Sequence, residues 1–594
     1  MIFSIMCHAI SMAAKPIDAA LAEVSPTALI VATTASLLLW QSYQNFDRQK
    51  TSYYLVAQAM KLPVINRLAA HEIQKASQDF EASVDAERSA MELVTEIPDE
   101  GWPAERLLDY FGDTARILEG MDSGCIYAVR EAEESALYGK IFALTERTNP
   151  MHSSKFPRIK LAEAEVIAMC QNLFHGDVGG HGLITSGGTY SIIEACHAYV
   201  SHMRKNSRIE RPVIIIPESA HAAFYKAAEI LNAKLQVIPL DVNTGEVNII
   251  KMEKALRSSR HEVCMIVGSA PSFPYGVFDP LEKLSKLALK FQVPLHVDAC
   301  LGGFIAAFSR ESLPAWDFRL PGVTSLSADT HKYGGTAKGS SVLIFRKDVP
   351  YTTVYAQLDW MGGLYVTEGM GGSQPGHIIA NAFSVLCHRG KKRYIEDTEE
   401  ILALRSRLVE RIQKIAGLSI PYPSRLSVIA FEGTQDIDSL LVAADLQRNH
   451  WSPNVVTSPV TDDDAMGQLK NFLGISARNV HGIHFCLTAA HVAYPDFEDK
   501  FIAALESAVR YARENVGKKP KGTLKVYGAV GTGLVPAPMA DQLGRAYSLS
   551  QNTVRLGLWQ SPSAVVKVDE EEKSLQTTGL RRRRMSFNLR EMDF

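Results

Sequence analysis

Two ionisable side chains follow short apolar stretches in the middle of the chain. Asp298 comes directly after the stretch from Pro294 to Val297. Lys332 comes five residues after the end of the stretch from Val323 to Ser327. Both stretches have the pattern of buried strands, so they bring a carboxylate and an amine to the edge where open α/β sheets bind ligands. Pyridoxal phosphate uses such a pair, because a lysine condenses with its aldehyde and a carboxylate keeps its ring nitrogen protonated.

Glycines are concentrated around these two candidates, at positions 302, 303, 334, 335 and 339. Glycine is typical of backbone that must pass close to a ligand. The competing interpretation is that Asp298 caps a loop and that Lys332 is a solvated surface residue, because short motifs often mislead. The clustering favours the cofactor site.

Two further segments follow predicted strands at the same edge. The turn from Thr185 to Thr189 (TSGGT) opens a predicted helix, and free backbone N–H groups at a helix start bind anions such as the cofactor phosphate. His221 follows the predicted strand from Pro212 to Ile216, and its imidazole is suited to stack on a pyridine ring. The alternative for His221 is a histidine at a helix start that bonds to backbone.

Composition limits the class of protein. A chain of 594 residues is too long for one core, and 46% hydrophobic with 21% charged residues is ordinary for soluble domains. The net charge of -3 gives no reason to expect nucleic acid as a partner. The eight cysteines have no C-x-x-C pair and no metal-ligand spacing, which favours free thiols in a reducing compartment and predicts no metal site.

Strand and helix patterns alternate from Thr148 to about Arg393, which predicts a mostly parallel sheet covered on both faces. From about Asp397 a helix-and-strand set predicts a second, smaller α+β domain. The predicted strands of the large domain are Gly182–Thr185, Pro212–Ile216, Leu235–Ile238, Val263–Val267, Pro294–Val297, Val323–Ser327 and Ser341–Phe345. We expect five regions: an N-terminal segment (1–50), a helical dimerisation segment (51–147), a cofactor-binding large domain (148–396), a small domain (397–547) and a disordered tail (548–594).

The N-terminal segment contains an uncharged stretch, Pro26 to Trp40, followed by Arg48 and Lys50. This stretch is shorter than the roughly twenty residues that span a bilayer. If it does span, the basic residues leave the bulk of the chain on the cytoplasmic side. The alternative is a docking helix or a surface anchor. At the other end of the chain, the loss of periodicity beyond about Ser548 favours a solvated, disordered tail, and the alternative for Arg581 to Arg584 is a lipid-binding or kinase-recognised patch.

From about Ile126 to Leu543 the chain resembles the group II pyridoxal-phosphate decarboxylases, and within them the sphingosine-1-phosphate lyases. Amino-acid decarboxylases share the VDA and HK elements but usually lack the KGSS continuation and the NP-x-H segment. The resemblance rests on TNPMHSSKFPRIKLAEAEV (148–166), TSGGT (185–189), SAHAAFYKAA (219–228), GSAPSFPYGVFDP (268–280), HVDACLGGF (296–304) and SADTHKYGGTAKGSS (327–341).

This resemblance implies the fold type I, transferase-like architecture of pyridoxal-phosphate enzymes and a homodimer with active sites built from both subunits. It also implies retro-aldol cleavage of a phosphorylated sphingoid base to a long-chain aldehyde and phosphoethanolamine. By this match Lys332 binds the cofactor covalently, Asp298 pairs with the ring nitrogen and His221 stacks on the ring. The match also implies that Gly188 and Thr189 bind the cofactor phosphate, together with Gly372 and Ser373 of the neighbouring subunit. The residues that it implies for the substrate phosphate are Tyr127, Asn149, His152 and Lys338.

Proton transfer is left open at this stage. A base must remove the C3 hydroxyl proton and an acid must protonate C2. Lys332, His331 and Lys338 are the candidates, and sequence spacing does not choose among them. Lys338 also suits a phosphate as a compact charge, and His331 has the alternative of a residue placed only by its neighbour.

The chain departs from the family pattern at two positions. Tyr190 stands where a glutamate usually follows TSGGT, and Gln374 stands where an arginine usually follows the Gly-Ser pair. Because neither position breaks the carbon–carbon bond, we expect altered cofactor affinity before lost activity. The family's membrane segment matches Pro26 to Trp40, which implies a membrane-associated enzyme facing the cytosol, at the endoplasmic reticulum in a eukaryotic cell or in an infected host. The alternatives are a soluble cytoplasmic protein and a bacterial protein exported into a host.

Two other functions compete with the lyase. An amino-acid decarboxylase acting on glutamate or an aromatic amino acid would use the same cofactor geometry, and the candidate phosphate partners Asn149, His152 and Lys338 argue against it. A catalytically silent scaffold would keep the fold without the chemistry. The presence of Asp298, His221 and Lys332 argues against that interpretation.

Overall fold

The computed structural model describes residues 96–112, 121–457 without 260, 348 and 435, and 481–518, with isolated positions between 74 and 94 and between 544 and 551. The chain divides into two units, residues 1–95 with 533–594 and residues 96–532, and the elements below belong to the second unit. The expected anchor from Pro26 to Trp40 and nearly all of the expected tail lie outside the described residues. Within the described part, no helix has the length and apolar character needed to cross a membrane.

Seven strands form the central sheet, in the order β1-β7-β6-β5-β4-β2-β3. The strand β7 runs antiparallel to both of its neighbours, and the other pairs are parallel. Each of the seven strands overlaps one strand predicted from the sequence. The predicted α/β class and mostly parallel sheet are therefore confirmed. The strands are β1 (His181–Thr185), β2 (Val213–Pro217), β3 (Lys234–Ile238), β4 (Val263–Ser269), β5 (Leu295–Asp298), β6 (Val323–Ala328) and β7 (Ser341–Phe345).

Helices cover both faces of this sheet. In β2, Ile214 and Ile216 belong to one apolar core, whereas Ile215 belongs to the other, because successive side chains of a strand point to opposite faces. A continuous apolar run of this kind is typical of a strand buried on both sides. The helices up to this point of the chain are α1 (Ala104–Phe111), α2 (Ala132–Thr145), α3 (Pro157–Leu173), α4 (Gly188–Ser207), α5 (Ala223–Ile230), α6 (Ile249–Ser258), α7 (Leu281–Phe291) and α8 (Gly303–Phe308).

A hairpin and a long helix follow the sheet. The antiparallel strands β8 (Tyr355–Trp360) and β9 (Gly363–Thr367) form the hairpin. The helix α9 (Gly376–Gln413) is interrupted at Gly390, whose φ of 64° and ψ of 166° are non-helical. The expected boundary between residues 396 and 397 falls inside this helix.

A second sheet of four strands, ordered β10-β11-β13-β12, follows α9. All of its pairs are antiparallel, and Phe485, Phe501 and Trp451 pack in the core beneath it. This is the smaller α+β arrangement that the sequence predicts. Its elements are β10 (Leu418–Ser419), β11 (Val428–Gly433), α10 (Ser439–Arg448), β12 (Asn454–Thr457), β13 (His481–Cys486), α11 (Ala489–Ala493) and α12 (Phe497–Glu514).

The cysteines agree in part with the sequence prediction. Seven of them lie in the described part of the chain and all seven are free. Five are buried, whereas Cys125 and Cys387 are exposed. Among the described residues, no group of three or more His, Cys, Asp and Glu side chains is arranged to hold a metal ion.

Candidate active site

Asp298 ends the strand β5 at the edge predicted from the sequence. Its register partners are Ser269 at the end of β4 and Ser327 near the end of β6, so three parallel strands converge there. The side chain is 7% exposed, and its Oδ1 accepts the backbone N–H of Cys300 at 3.0 Å. This hydrogen bond fixes a carboxylate at the carboxyl edge of the sheet.

Lys332 lies in a tightly bonded loop between β6 and β7. Thr330 anchors the loop, because its Oγ1 donates to Ser340 Oγ at 2.6 Å and its carbonyl accepts the N–H of Thr336 at 3.1 Å. A Cβ on Gly334 would lie 2.4 Å from the Thr330 carbonyl oxygen, so the close turn requires glycine there. The loop therefore presents the lysine from a fixed backbone.

The ammonium of Lys332 forms an ion pair with Asp329, a residue that sequence reasoning missed. The distance between Lys332 Nζ and Asp329 Oδ2 is 2.8 Å. Burial lowers the pKa of Lys332, but the charge and hydrogen bond of Asp329, together with smaller contributions from Cys300 and Asp298, outweigh burial and leave this pKa above the ordinary lysine value. The signal in the sequence was an acid just after a strand and three residues before the lysine, which shows that the two are close in sequence but not that they are in contact.

The predicted anion-binding turn lies against this ion pair. A Cβ on Gly188 would lie 2.7 Å from Asp329 Oδ1, and a Cβ on Gly187 would lie 3.6 Å from His331 Cε1. Gly187 has a φ of 138°, a conformation that side chains disfavour. Since α4 starts at Gly188, its first N–H groups and this open space form a cradle beside the lysine.

These residues fit pyridoxal phosphate. Side chains at positions 187 and 188 would fill the cradle, so glycine keeps it open for a ligand. The amine of Lys332 and the carboxylate of Asp329 lie beside it. Asp329 Oδ1 is buried without a hydrogen-bond partner among the described residues. A buried polar atom left open in this way indicates a site built for a further polar group.

His331 presents a free lone pair. Its Nδ1 lies 2.6 Å from the carbonyl oxygen of Ser340, and because a carbonyl only accepts, Nδ1 carries the proton of the neutral ring. Nε2 then remains unprotonated, 3.6 Å from Asp329 Oδ2. Burial lowers the pKa of His331 more than Asp329 raises it. The ring therefore stays neutral at physiological pH and its Nε2 can accept a proton.

Tyr127 and Lys338 contact each other near Lys332 and Asp329. Lys338 Nζ lies 4.8 Å from the centre of the Tyr127 ring, a cation–π contact. Burial lowers the pKa of Lys338, and the charge of Lys332 lowers it further. The Tyr127 ring packs edge-on against Tyr333 at 5.0 Å. The structure thus brings together two of the four residues predicted for the substrate phosphate.

Tyr333, which sequence reasoning also missed, joins the lysine loop to the second sheet. Its hydroxyl donates to the carbonyl oxygen of Leu487 at 2.6 Å and also bonds Ser427 Oγ. The Sγ of Cys486 lies 3.2 Å from the same hydroxyl. The residue directly after the lysine is therefore held by the small sheet.

The other two predicted phosphate residues form a separate group. Asn149 Nδ2 donates to Ser373 Oγ at 3.1 Å, and Asn149 Oδ1 accepts the N–H of Gln374 at 3.2 Å. His152 follows in the same turn and is exposed. Among the described residues, no hydrogen bond or ion pair connects this group to Lys332 or Asp298. Within the described part of one chain, these residues therefore bond to each other and not to the lysine or to Asp298.

The loop before Gly372 is anchored by a buried carboxylate. Glu194, on α4, is 3% exposed, and its Oε1 accepts the N–H of Met370 at 2.6 Å. Burial raises the pKa of this carboxyl. Tyr190, one turn earlier on the same helix, is exposed. The loop that carries Gly372 and Ser373 is thus tied to the helix that begins at the cradle.

His221 occupies the start of α5. Its Nδ1 accepts the backbone N–H of Ala223 at 3.1 Å, and the residue is exposed. This backbone bond is the one that the alternative interpretation predicts. Stacking of His221 on a cofactor ring stays a prediction.

Comparisons with known proteins agree with this chemistry. Residues 126–432 match the family described as the pyridoxal-dependent decarboxylase conserved domain. A probable sphingosine-1-phosphate lyase of Legionella pneumophila is 35% identical over 590 residues, covering 92% of this chain and 93% of that protein. The sphingosine-1-phosphate lyase of Drosophila melanogaster is 33% identical over 520 residues, covering 84% and 89%.

A solved structure is also similar. The sphingosine-1-phosphate lyase of Burkholderia pseudomallei superposes with a TM-score of 0.64 at 31% identity. The match covers 72% of this chain and 95% of that chain. The similarity therefore extends over nearly the whole of that solved chain.

Proposed function

Because this chain belongs to the pyridoxal-dependent decarboxylase family, and within it to the sphingosine-1-phosphate lyases, we propose that it cleaves phosphorylated sphingoid bases into a long-chain aldehyde and phosphoethanolamine. The observation that carries the proposal is Lys332 beside the glycine cradle, at the sheet edge where Asp298 ends β5. Pyridoxal phosphate, when bound, supplies an electron sink for the electron pair left on C2 as the bond between C2 and C3 breaks.

The residues of the chain divide the remaining work. Lys332 would hold the cofactor, Asp298 would keep its ring nitrogen protonated, and the first N–H groups of α4 at Gly188 and Thr189 would hold its phosphate. His331 accepts the C3 hydroxyl proton at Nε2, because its neutral ring has a lone pair there. Lys338, beside Tyr127, binds the substrate phosphate as a compact charge.

The second group of residues supports an active site shared between two copies of the chain. Asn149, His152, Gly372 and Ser373 would serve the partner's site, which is consistent with the hydrogen bond that joins Asn149 to Ser373 and with the lack of one to Lys332 among the described residues. The hairpin of β8 and β9 runs into the same loop and exposes Leu358, Met361 and Leu364 to solvent. An exposed apolar patch of this kind is typical of a protein interface. These features support a homodimer.

Membrane association is part of the proposal. A sphingoid phosphate has a long hydrocarbon chain and resides in membranes, and the uncharged stretch from Pro26 to Trp40 suits an anchor that leaves the enzyme in the cytosol. Separation of membranes from soluble protein, with and without residues 1–50, tests this part by itself.

The test is product analysis of the purified protein loaded with pyridoxal phosphate. Incubation with a sphingoid phosphate is expected to release equal amounts of aldehyde and phosphoethanolamine, and Lys332→Ala is expected to lose both the visible cofactor absorbance and turnover. Release of carbon dioxide from glutamate or tyrosine instead would identify an amino-acid decarboxylase. A protein that binds no cofactor would be the silent scaffold.

A further inference from the structure

Asp329 is the buried acid in closest contact with the cofactor lysine. Its side chain is 3% exposed, and its Oδ2 lies 2.8 Å from Lys332 Nζ and 3.6 Å from His331 Nε2. Its Oδ1 has no hydrogen-bond partner among the described residues and faces the position that a side chain at Gly188 would occupy. The carboxylate thus stands between the lysine and the cradle.

We propose that Asp329 is a positioning residue that holds Lys332 as an ammonium beside the cradle and so sets the pH at which the protein captures pyridoxal phosphate. The inference rests on the proposed function for the identity of Lys332 as the cofactor lysine. It gives Asp329 a role distinct from that of Asp298, which is proposed to face the ring nitrogen. Gly188 acquires a second purpose, because a side chain there would displace the carboxylate.

The physical reason is the charge that condensation requires. An ammonium has no lone pair, so Lys332 must first release a proton to solvent. The amine lone pair then forms the bond to the aldehyde carbon, and the aldehyde oxygen leaves as water. A carboxylate at 2.8 Å stabilises the ammonium and opposes that first proton loss.

Other charged or titratable groups also face Lys332. His331 and Lys338 come from its own loop, Asp298 and Cys300 from the end of β5, and Cys486 from β13. Burial raises the pKa of both thiols, so neither is charged at neutral pH, and burial keeps His331 neutral. Lys338 acts in the opposite direction and Asp298 is a weaker influence than Asp329. Asp329 therefore dominates the charge balance at the amine.

The experiment measures cofactor capture instead of turnover. Cofactor-free protein is mixed with pyridoxal phosphate from pH 6 to 10, and the rate at which the bound absorbance appears is recorded. Asp329→Asn is expected to move the rate profile to lower pH and to speed capture at pH 7 on the order of tenfold, because the neutral amine becomes more abundant. Asp329→Glu, which keeps the charge, is expected to retain the wild-type profile.

Asp317→Asn is the matched control, since Asp317 is also buried and ion-paired, with Arg319 at 2.7 Å. Its capture profile should equal that of the wild type. An Asp329→Asn profile that coincides with the wild type, or an equal shift in Asp317→Asn, would overturn the inference. If Asp329→Asn does not fold, the wild-type profile decides: a capture rate still rising at pH 10 supports an ammonium held by Asp329, and a rate that has levelled off before pH 10, below the ordinary lysine value of about 10.4, contradicts it. Absence of capture by the wild type at every pH would instead refute the proposed function.

Discussion

The hydroxyl of Tyr333 lies 2.6 Å from the carbonyl oxygen of Leu487, a residue 154 positions further along the chain. Tyr333 directly follows Lys332, and Leu487 directly follows the strand β13 of the second sheet. The loop that carries Lys332 is therefore joined to the large sheet through β6 and β7 and to the small sheet through the Tyr333 hydroxyl.

Tyr333→Phe is expected to lower the free energy of unfolding by about 1–3 kcal/mol, because it removes the hydroxyl and leaves buried partners unsatisfied. Urea denaturation measures the change. Tyr355→Phe is the matched control, since the Tyr355 hydroxyl bonds Gln357 on the exposed hairpin, and a change within about 0.5 kcal/mol is expected there. Equal values for the two variants would show that the link across the sheets does not stabilise the protein.

The pH dependence of turnover is expected to report His331. Burial lowers its pKa, so its Nε2 loses the lone pair only when the pH falls below the ordinary histidine value of about 6.5. The value of kcat should therefore stay level through pH 6.5 and decline at lower pH. His331→Asn should reduce kcat by roughly 10²–10⁴ and abolish this decline, while the visible cofactor absorbance remains. An unchanged acid limb in the variant would assign the proton transfer to another group.

Lys338→Ala is expected to raise the Michaelis constant for a sphingoid phosphate by roughly 10- to 100-fold, the loss of one charge-assisted contact. Cofactor affinity, read from the visible absorbance, should change little. Lys347→Ala removes an exposed lysine just after β7 and should leave both quantities unchanged. A parallel loss of cofactor in Lys338→Ala would place this lysine at the cofactor instead of the substrate.

Met361→Glu is expected to weaken dimerisation by at least about tenfold, because the fully exposed tip of the hairpin would bury an unpaired charge in the interface. Sedimentation at several protein concentrations measures the effect, and specific activity should fall on dilution. Ile250→Glu introduces the same charge at an exposed apolar residue of α6 and should leave the dimer intact. A monomeric wild type that retains full activity would contradict the shared site.

Mixing two inactive variants tests whether sites are shared. Lys332→Ala lacks the cofactor amine, and His152→Ala lacks a proposed phosphate partner of the neighbouring site. After subunit exchange about half of the dimers contain one copy of each, with one of two sites intact, so about one quarter of wild-type activity should return. If both residues serve the site of their own chain, mixing restores nothing.

Local sequence patterns were sufficient to predict much of the fold of this protein. The seven strands and the positions of Asp298 and Lys332 follow from apolar runs whose period is set within a few residues. The contact between Tyr333 and Leu487 depends on how the two sheets pack. The spacing of apolar residues within one segment does not determine that packing. Asp329 is three residues from Lys332, yet its role depends on space left by Gly188 on a different element. The hydrogen bond between Asn149 and Ser373, 224 positions apart in the chain, likewise depends on the folded chain.

Gly390 has a further consequence for the path between the two sheets. Its φ of 64° and ψ of 166° lie in a region that is essentially restricted to glycine, and a Cβ there would meet no atom within 4 Å. A larger residue at this position would therefore not collide with its neighbours, and only the unfavourable φ and ψ angles oppose a substitution of Gly390. The two halves of α9 therefore meet at a backbone conformation that any residue larger than glycine would strain, so the direction in which the chain enters the second sheet depends on the absence of a side chain at this position.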